Sequence, residues 1–257
     1  MTTQGVSPIV IRHHRVDLAL HRLAATGDGP RAAQGEAGRP LLCLHGLGES
    51  AASLPAASLA RWPGPVWALD FTGHGASTVP VGGGYTAELL MGDADHALAH
   101  LGESAIVGFG LGAYVALLLA GARAAAVRGT VLADGPGLDG ARFEPAALRI
   151  VAPVQTAEPG RPGPPVEPAP SGGPAAAPGG APAAPDPYAL AELAADVRPA
   201  AYARDYARAA LAGCPTDPAL VVATAARPPW LAAVLAEGAA PASGLDAGLD
   251  RLSAANG

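Results

Sequence analysis

Residues 105–122 read AIVGFGLGAYVALLLAGA, a stretch of 18 positions without a charge. That length is the lower edge for a membrane-spanning helix, but the internal pattern argues against one long helix. An apolar run with two β-branched residues, Ala105-Ile106-Val107, stops at Gly108. A Gly-rich turn follows, and from Ala113 the sequence becomes an Ala/Leu helix. A strand apolar on every residue suits a sheet covered on both faces, as parallel sheets are. The segment therefore predicts a buried strand, a tight turn and a buried helix.

The neighbouring segments repeat this logic. Residues 40–44 (PLLCL) form a second apolar run and end in His45-Gly46-Leu47-Gly48. A helix-like stretch over 51–61 leads to a third run at 65–70. Thr86 predicts the cap of a helix reaching Leu101, with Leu90, Ala94, Ala97, Leu98 and Leu101 on one face. Strand 105–109, helix 112–125 and strand 129–133 come next. Strands alternating with helices specify an α/β fold with a mostly parallel sheet and helices on both faces. Upstream, 9–16 and 18–24 alternate and predict an antiparallel hairpin at the sheet edge, followed by a polar, Gly-rich loop over 27–39.

The pattern breaks at 153–187, where 12 of 35 residues are Pro. So little apolar surface does not offset the entropy of ordering a chain. This stretch predicts a disordered insertion, with a ligand for a proline-reading module as the other option. Helices over 188–197 and 200–213, a strand over 220–224, a short helix over 230–235 and an Ala/Gly-rich tail follow. The expected organisation is an N-terminal core over 1–152, the insertion over 153–187, and 188–257 completing the same domain.

The formal charge is −6. It offers no basic stripe for nucleic acid and no polybasic patch for a membrane surface. All 16 basic residues are Arg, and 34 Gly and 27 Pro accompany them, as expected of a GC-rich bacterial genome. Cys43 and Cys214 are too few for a disulfide framework. The first residues, MTTQGVSPIV, lack the pattern of a signal peptide. Together these predict a cytoplasmic protein.

Three motifs fall at the C-terminal ends of successive strands, where open α/β sheets place their ligand sites: LLCLHGLGES at 41–50, LDFTGHGAS at 69–77 and IVGFGLGAYVAL at 106–117. In this order and spacing they resemble the α/β-hydrolase family, closely over 8–135 and more weakly over 188–235. The resemblance implies that His45, Gly46 and Leu47 form the turn lending a backbone N–H to an oxyanion hole. It implies a mainly structural turn at 70–77 and a nucleophile elbow, G-x-S-x-G, at the third motif. Here that motif is Gly108-Phe109-Gly110-Leu111-Gly112, with Gly110 at the serine position. The family's base is a late histidine, and none of the seven histidines lies beyond His100. Its acid follows the penultimate strand, where Ala225-Ala226-Arg227-Pro228-Pro229 holds no carboxylate. Asp134, after the preceding strand, is the acid position that survives. The resemblance thus implies a hydrolase frame with a reduced cap, a truncated C-terminal part and no catalytic serine or histidine.

Gly110 has its own physical logic. An elbow residue at unfavourable backbone angles stores about 1–3 kcal/mol of strain, which glycine avoids. The expected function is non-catalytic: a scaffold, or a pocket above Gly110 lined by Leu47, Phe109, Leu111 and the helices of 188–213. With free N–H groups on Leu47 and Leu111, and Asp134 nearby, that pocket suits a small apolar or carbonyl-containing ligand. No cofactor and no metal is expected. Asp93, His96 and His100 share a helical face, read as a solvated polar face. Adjacent His13 and His14 point to opposite faces of a strand. Cys43 reads as a small hydrophobe, and Tyr202 and Tyr206 as helix packing. One alternative is a hydrolase of small esters or acyl compounds with a rearranged site, built from Ser50 or Ser77 with His45 or His74. Another is an interaction module whose partner the sequence does not identify.

Overall fold

The computed structural model describes residues 7–13, 15–23, 38–141 and 184–256. Most of the Pro-rich stretch, 153–183, lies outside them, as do His14 and most of the Gly-rich loop.

Four short apolar strands form the centre of the sheet: β3 (Leu41–Leu44), β4 (Val66–Leu69), β5 (Ser104–Phe109) and β6 (Val127–Ala133). Alternation along each strand sends side chains to opposite faces. Leu42, Leu44, Ile106 and Leu132 enter one core, while Leu41, Cys43, Val107 and Val131 enter the other. Both faces are buried, which explains why these strands read as continuous apolar runs.

Among the described residues the sheet has eight strands in the order β1-β2-β4-β3-β5-β6-β7-β8. The hairpin of β1 (Ile9–His13) and β2 (Val16–Arg22) is antiparallel and leaves β1 at the edge. β2 meets β4 antiparallel, and every pairing from β4 to β8 is parallel. On one face lie α2 (Ala87–Leu101), α3 (Leu111–Ala122), α4 (Pro187–Ala195), α5 (Ala200–Gly213) and α6 (Pro229–Ala236). The short α1 (Ala56–Leu59) and α7 (Leu245–Ala254) cover the other. β7 (Leu220–Ala223) pairs with β6 and joins the segment after 184 to the same sheet.

Three expectations need correction. The helix over 51–61 is instead a 3-10 turn, Ala51–Ser53, followed by the four-residue α1. Pro55 intervenes and holds Leu54 in an extended conformation, as the residue before a proline prefers. The C-terminal part, expected to be truncated, carries a further strand and helix. β8 (Ala240–Pro241) is only two residues long, yet it pairs with β7 and leads into α7. Finally, 184–187 belongs with the helix that follows. Asp186 caps α4 by accepting from the Tyr188 N–H, with Pro187 at the first helical position, where a missing N–H costs nothing.

Candidate active-site region

The turn between β5 and α3 holds Gly110 at φ 57° and ψ −116°. Only glycine enters this region without penalty. A Cβ at Gly108 would strike the Gly112 carbonyl oxygen, and one at Gly112 would strike the Leu44 carbonyl oxygen. The two flanking glycines therefore let β5, α3 and β3 approach closely.

The loop after β6, residues 134–137, lies directly over Gly110. The Leu47 N–H donates to the Pro136 carbonyl oxygen at 3.0 Å, and the Leu111 N–H donates to the same oxygen at 2.9 Å. A Cβ on Gly110 would collide with that oxygen and come within 2.5 Å of the Gly135 carbonyl carbon. A Cβ on Gly46 would be 2.8 Å from the Pro136 ring. The pocket expected above Gly110 therefore lacks free Leu47 and Leu111 amides. Both amides are bound, and backbone fills the space above Gly110. Sequence reasoning missed Pro136, since a backbone carbonyl has no residue-type signature.

The surrounding polar groups hold this arrangement. His45 is fully buried, and both ring nitrogens are engaged. Nδ1 donates to the Gly46 carbonyl at 2.8 Å, and Nε2 accepts from the Phe71 N–H at 3.1 Å. Burial, then the nearby His74, pull its pKa down to about 4. The Gly46 N–H donates to the Glu49 carboxylate. Asp134 accepts from the Ala225 N–H at 2.7 Å and from the Ala226 N–H at 3.4 Å, tying the loop after β6 to the one after β7. Phe109 is buried and borders a cleft of about 350 Å³ with Glu49, Asp134, Pro136 and Leu245.

The other sequence candidates serve local structure. Ser77 donates to the Asp70 carbonyl and accepts from the Ala19 N–H. Ser50 belongs to the capping box of the 3-10 turn. His74 Nδ1 donates to the Thr72 carbonyl, and its Nε2 has no partner among the described residues. Among those residues no serine hydroxyl is hydrogen-bonded to an imidazole. Asp70 accepts from the Ala51 and Ala76 N–H groups and from His21. Burial alone would raise its pKa, but His21 and the two amides outweigh burial and hold it below the usual carboxylate range.

The face carrying Asp93 is solvated only in part: His100 is exposed, but Asp93 is not. Asp93 is 1% exposed and accepts from the Thr72 N–H and from His13. His96 stacks on His13 with ring centroids 3.8 Å apart. β1 and the turn after β4 therefore cover part of the helical face that looked polar. Among the described residues, no group of three or more His, Cys, Asp or Glu is placed to hold a metal ion.

A further residue escaped the sequence reading. Arg198, between α4 and α5, is 5% exposed. Its Nη1 donates to the Gly137 and Leu138 carbonyls, and its guanidinium lies 5.3 Å over the Tyr114 ring. Trp230 Nε1 donates to the same Leu138 carbonyl. Arg198 and Trp230 thus grip the loop just beyond Pro136.

The sequence profile described as Alpha/beta hydrolase family matches residues 41–252. No curated protein matches the chain. Solved structures similar to it include a membrane phospholipase A described as a bacterial virulence factor, 23% identical over 54% of this chain and 43% of that one, with a TM-score of 0.43. A thioesterase domain from the curacin biosynthetic pathway is 21% identical over 53% and 46%, with a TM-score of 0.44. A hydrolase from Pseudomonas aeruginosa is 26% identical over 55% and 49%, with a TM-score of 0.43. The chain thus spans less than half the length of each of these three. With the profile covering most of its length, the chain belongs to the alpha/beta hydrolase family.

Proposed function

We propose that this chain is a non-catalytic member of the family, whose former reaction centre is closed by its own backbone and serves as a structural scaffold. One observation carries the reading: the Pro136 carbonyl accepts from both the Leu47 and Leu111 N–H groups. In an active member these two amides stabilise the oxyanion of the reacting substrate. Donors 2.7–3.1 Å from an oxyanion are the working geometry, and Pro136 takes up both at such distances. Gly110 and the absence of any histidine after His100 agree with this reading. A base delivered after β8 would stand in the cleft bordered by Phe109, Asp134 and Leu245, but β8 runs into Ala242-Ser243-Gly244.

Of the candidate residues, Gly46, Leu47, Gly110 and Leu111 form the seat of this plug. His45 sets the turn that carries Leu47, Asp134 anchors the loop, and Phe109 packs beneath it. The rearranged-hydrolase alternative has no serine–histidine contact to support it among the described residues. No described helix is long and apolar enough to cross a membrane. We take the setting to be the bacterial cytoplasm and read 1–152 and 188–257 as two parts of one domain.

The reading is tested with a fluorophosphonate probe and p-nitrophenyl butyrate. The expected result is no covalent labelling and no turnover above buffer. A labelled serine, or ester hydrolysis at enzymatic rates that persists through purification, overturns it.

A further inference from the structure

On the far side of the 134–140 loop a cavity of about 910 Å³ opens between the starts of α5 and α6. Ala200 of α5 lines it, as do Pro229 and Trp230 of α6. Helix N-termini carry partial positive charge and favour anions. Two arginines, Arg198 and Arg227, share the wall, with Asp139 as the one carboxylate among the described residues that line it. The rest is apolar, including Val197, Pro199 and Pro228.

Arg198 supplies the second, independent observation. Its Nε and Nη2 have no hydrogen-bond partner among the described residues, although the side chain is almost wholly buried. Leaving charged donors buried and unpaired is costly. Burial pulls its pKa down to about 10, partly offset by Asp196, so the group remains cationic at neutral pH. Arg227 is exposed, and its Nη1 is held by Thr224 and the Ala226 carbonyl. That contact leaves the opposite edge of its guanidinium available.

We infer that this cavity binds an amphiphilic oxyanion, a carboxylate or phosphate monoester with a short apolar tail. The anion meets Arg227 first, and a small turn of the Arg198 guanidinium gives its unpaired donors a partner. Planar guanidinium groups match both oxyanions. The tail lies along Trp230 and the prolines. The inference does not depend on the closed reaction centre: labelling by fluorophosphonate would overturn that reading and leave this one standing.

The test is isothermal titration of the full chain with octanoate, octyl phosphate and octanol. Saturable binding of octanoate or octyl phosphate is expected, at least tenfold tighter than octanol, and the tighter anion identifies the headgroup. Arg227→Gln should weaken that binding at least tenfold while leaving the melting temperature unchanged. Arg198→Gln should weaken it further, and if that variant fails to fold, Arg227→Gln alone decides. Failure of both anions to bind, octanol binding as tightly, or an unchanged affinity in Arg227→Gln overturns the proposal.

Discussion

The backbone N–H of Leu111 points at the carbonyl oxygen of Pro136, 2.9 Å away. Leu111 begins α3 immediately after Gly110, and Pro136 belongs to the loop leaving β6. A hydrogen bond between them closes the C-terminal edge of the sheet at the point where α/β folds otherwise keep a ligand site open. Leu47 makes the matching bond from the turn after β3, so three strand ends converge on one oxygen.

Gly110→Ser and Gly110→Ala should both destabilise the fold. The added Cβ collides with the Pro136 carbonyl and must also adopt a positive φ. Backbone strain and overpacking of this kind cost about 2–4 kcal/mol together. Thermal melts should show Tm lower by roughly 5–10 °C, and Gly110→Ser should gain no esterase activity. An unchanged Tm with rapid acyl-ester turnover would contradict this.

Acid should weaken the protein through His45. Its folded pKa, about 4, lies below the ordinary histidine value of 6.5. The folded state therefore holds fewer protons, and the stabilisation is fully present above pH 6.5 and lost as pH falls toward 4. At one pKa unit per ~1.4 kcal/mol, the full loss is about 3 kcal/mol. His74, also lowered by burial, acts in the same direction. Urea denaturation at pH 7 and pH 5 checks this. In His45→Gln, stability should be lower at pH 7 and should change less between the two pH values.

Asp134→Ala should cost about 1 kcal/mol, the scale of a lost charge-assisted bond to a partly exposed backbone N–H. The Ala225 amide loses its acceptor, so its hydrogen exchange should speed up. No catalytic rate should change with it. Differential scanning fluorimetry and amide exchange read the two effects separately.

Leu252→Ala should cost about 2–5 kcal/mol, as for other fully buried leucines. Leu252 is fully buried in the core beneath β6 and β7, beside Leu249. A chemical-denaturation midpoint equal to that of the unsubstituted chain would show the terminal helix to be dispensable.

The central sheet was legible because burial on both faces turns strands into uninterrupted apolar runs such as 41–44 and 105–109. The Gly110 turn was legible because glycine spacing reports close approach. The filling of that turn was not, since the plug is a main-chain carbonyl in a Gly-Pro-Gly loop. α7 was hidden by its Ala, Gly and Asp content, although Leu245, Leu249 and Leu252 have helical spacing. Asp93 looked solvated because nothing in its own helix signals that His13, from an edge strand 80 residues earlier, lies against it. Arg198 carried no motif, and its place against the 137–138 carbonyls is set by tertiary packing alone.

Amide hydrogen exchange at Leu47 and Leu111, resolved residue by residue, measures the closure of the reaction centre most directly. Amides bonded to Pro136 in a packed sheet edge should exchange as slowly as those of β5, opening only with larger unfolding. Exchange of both at the rate of exposed loop amides would mean that the carbonyl does not occupy the site, and would contradict the account.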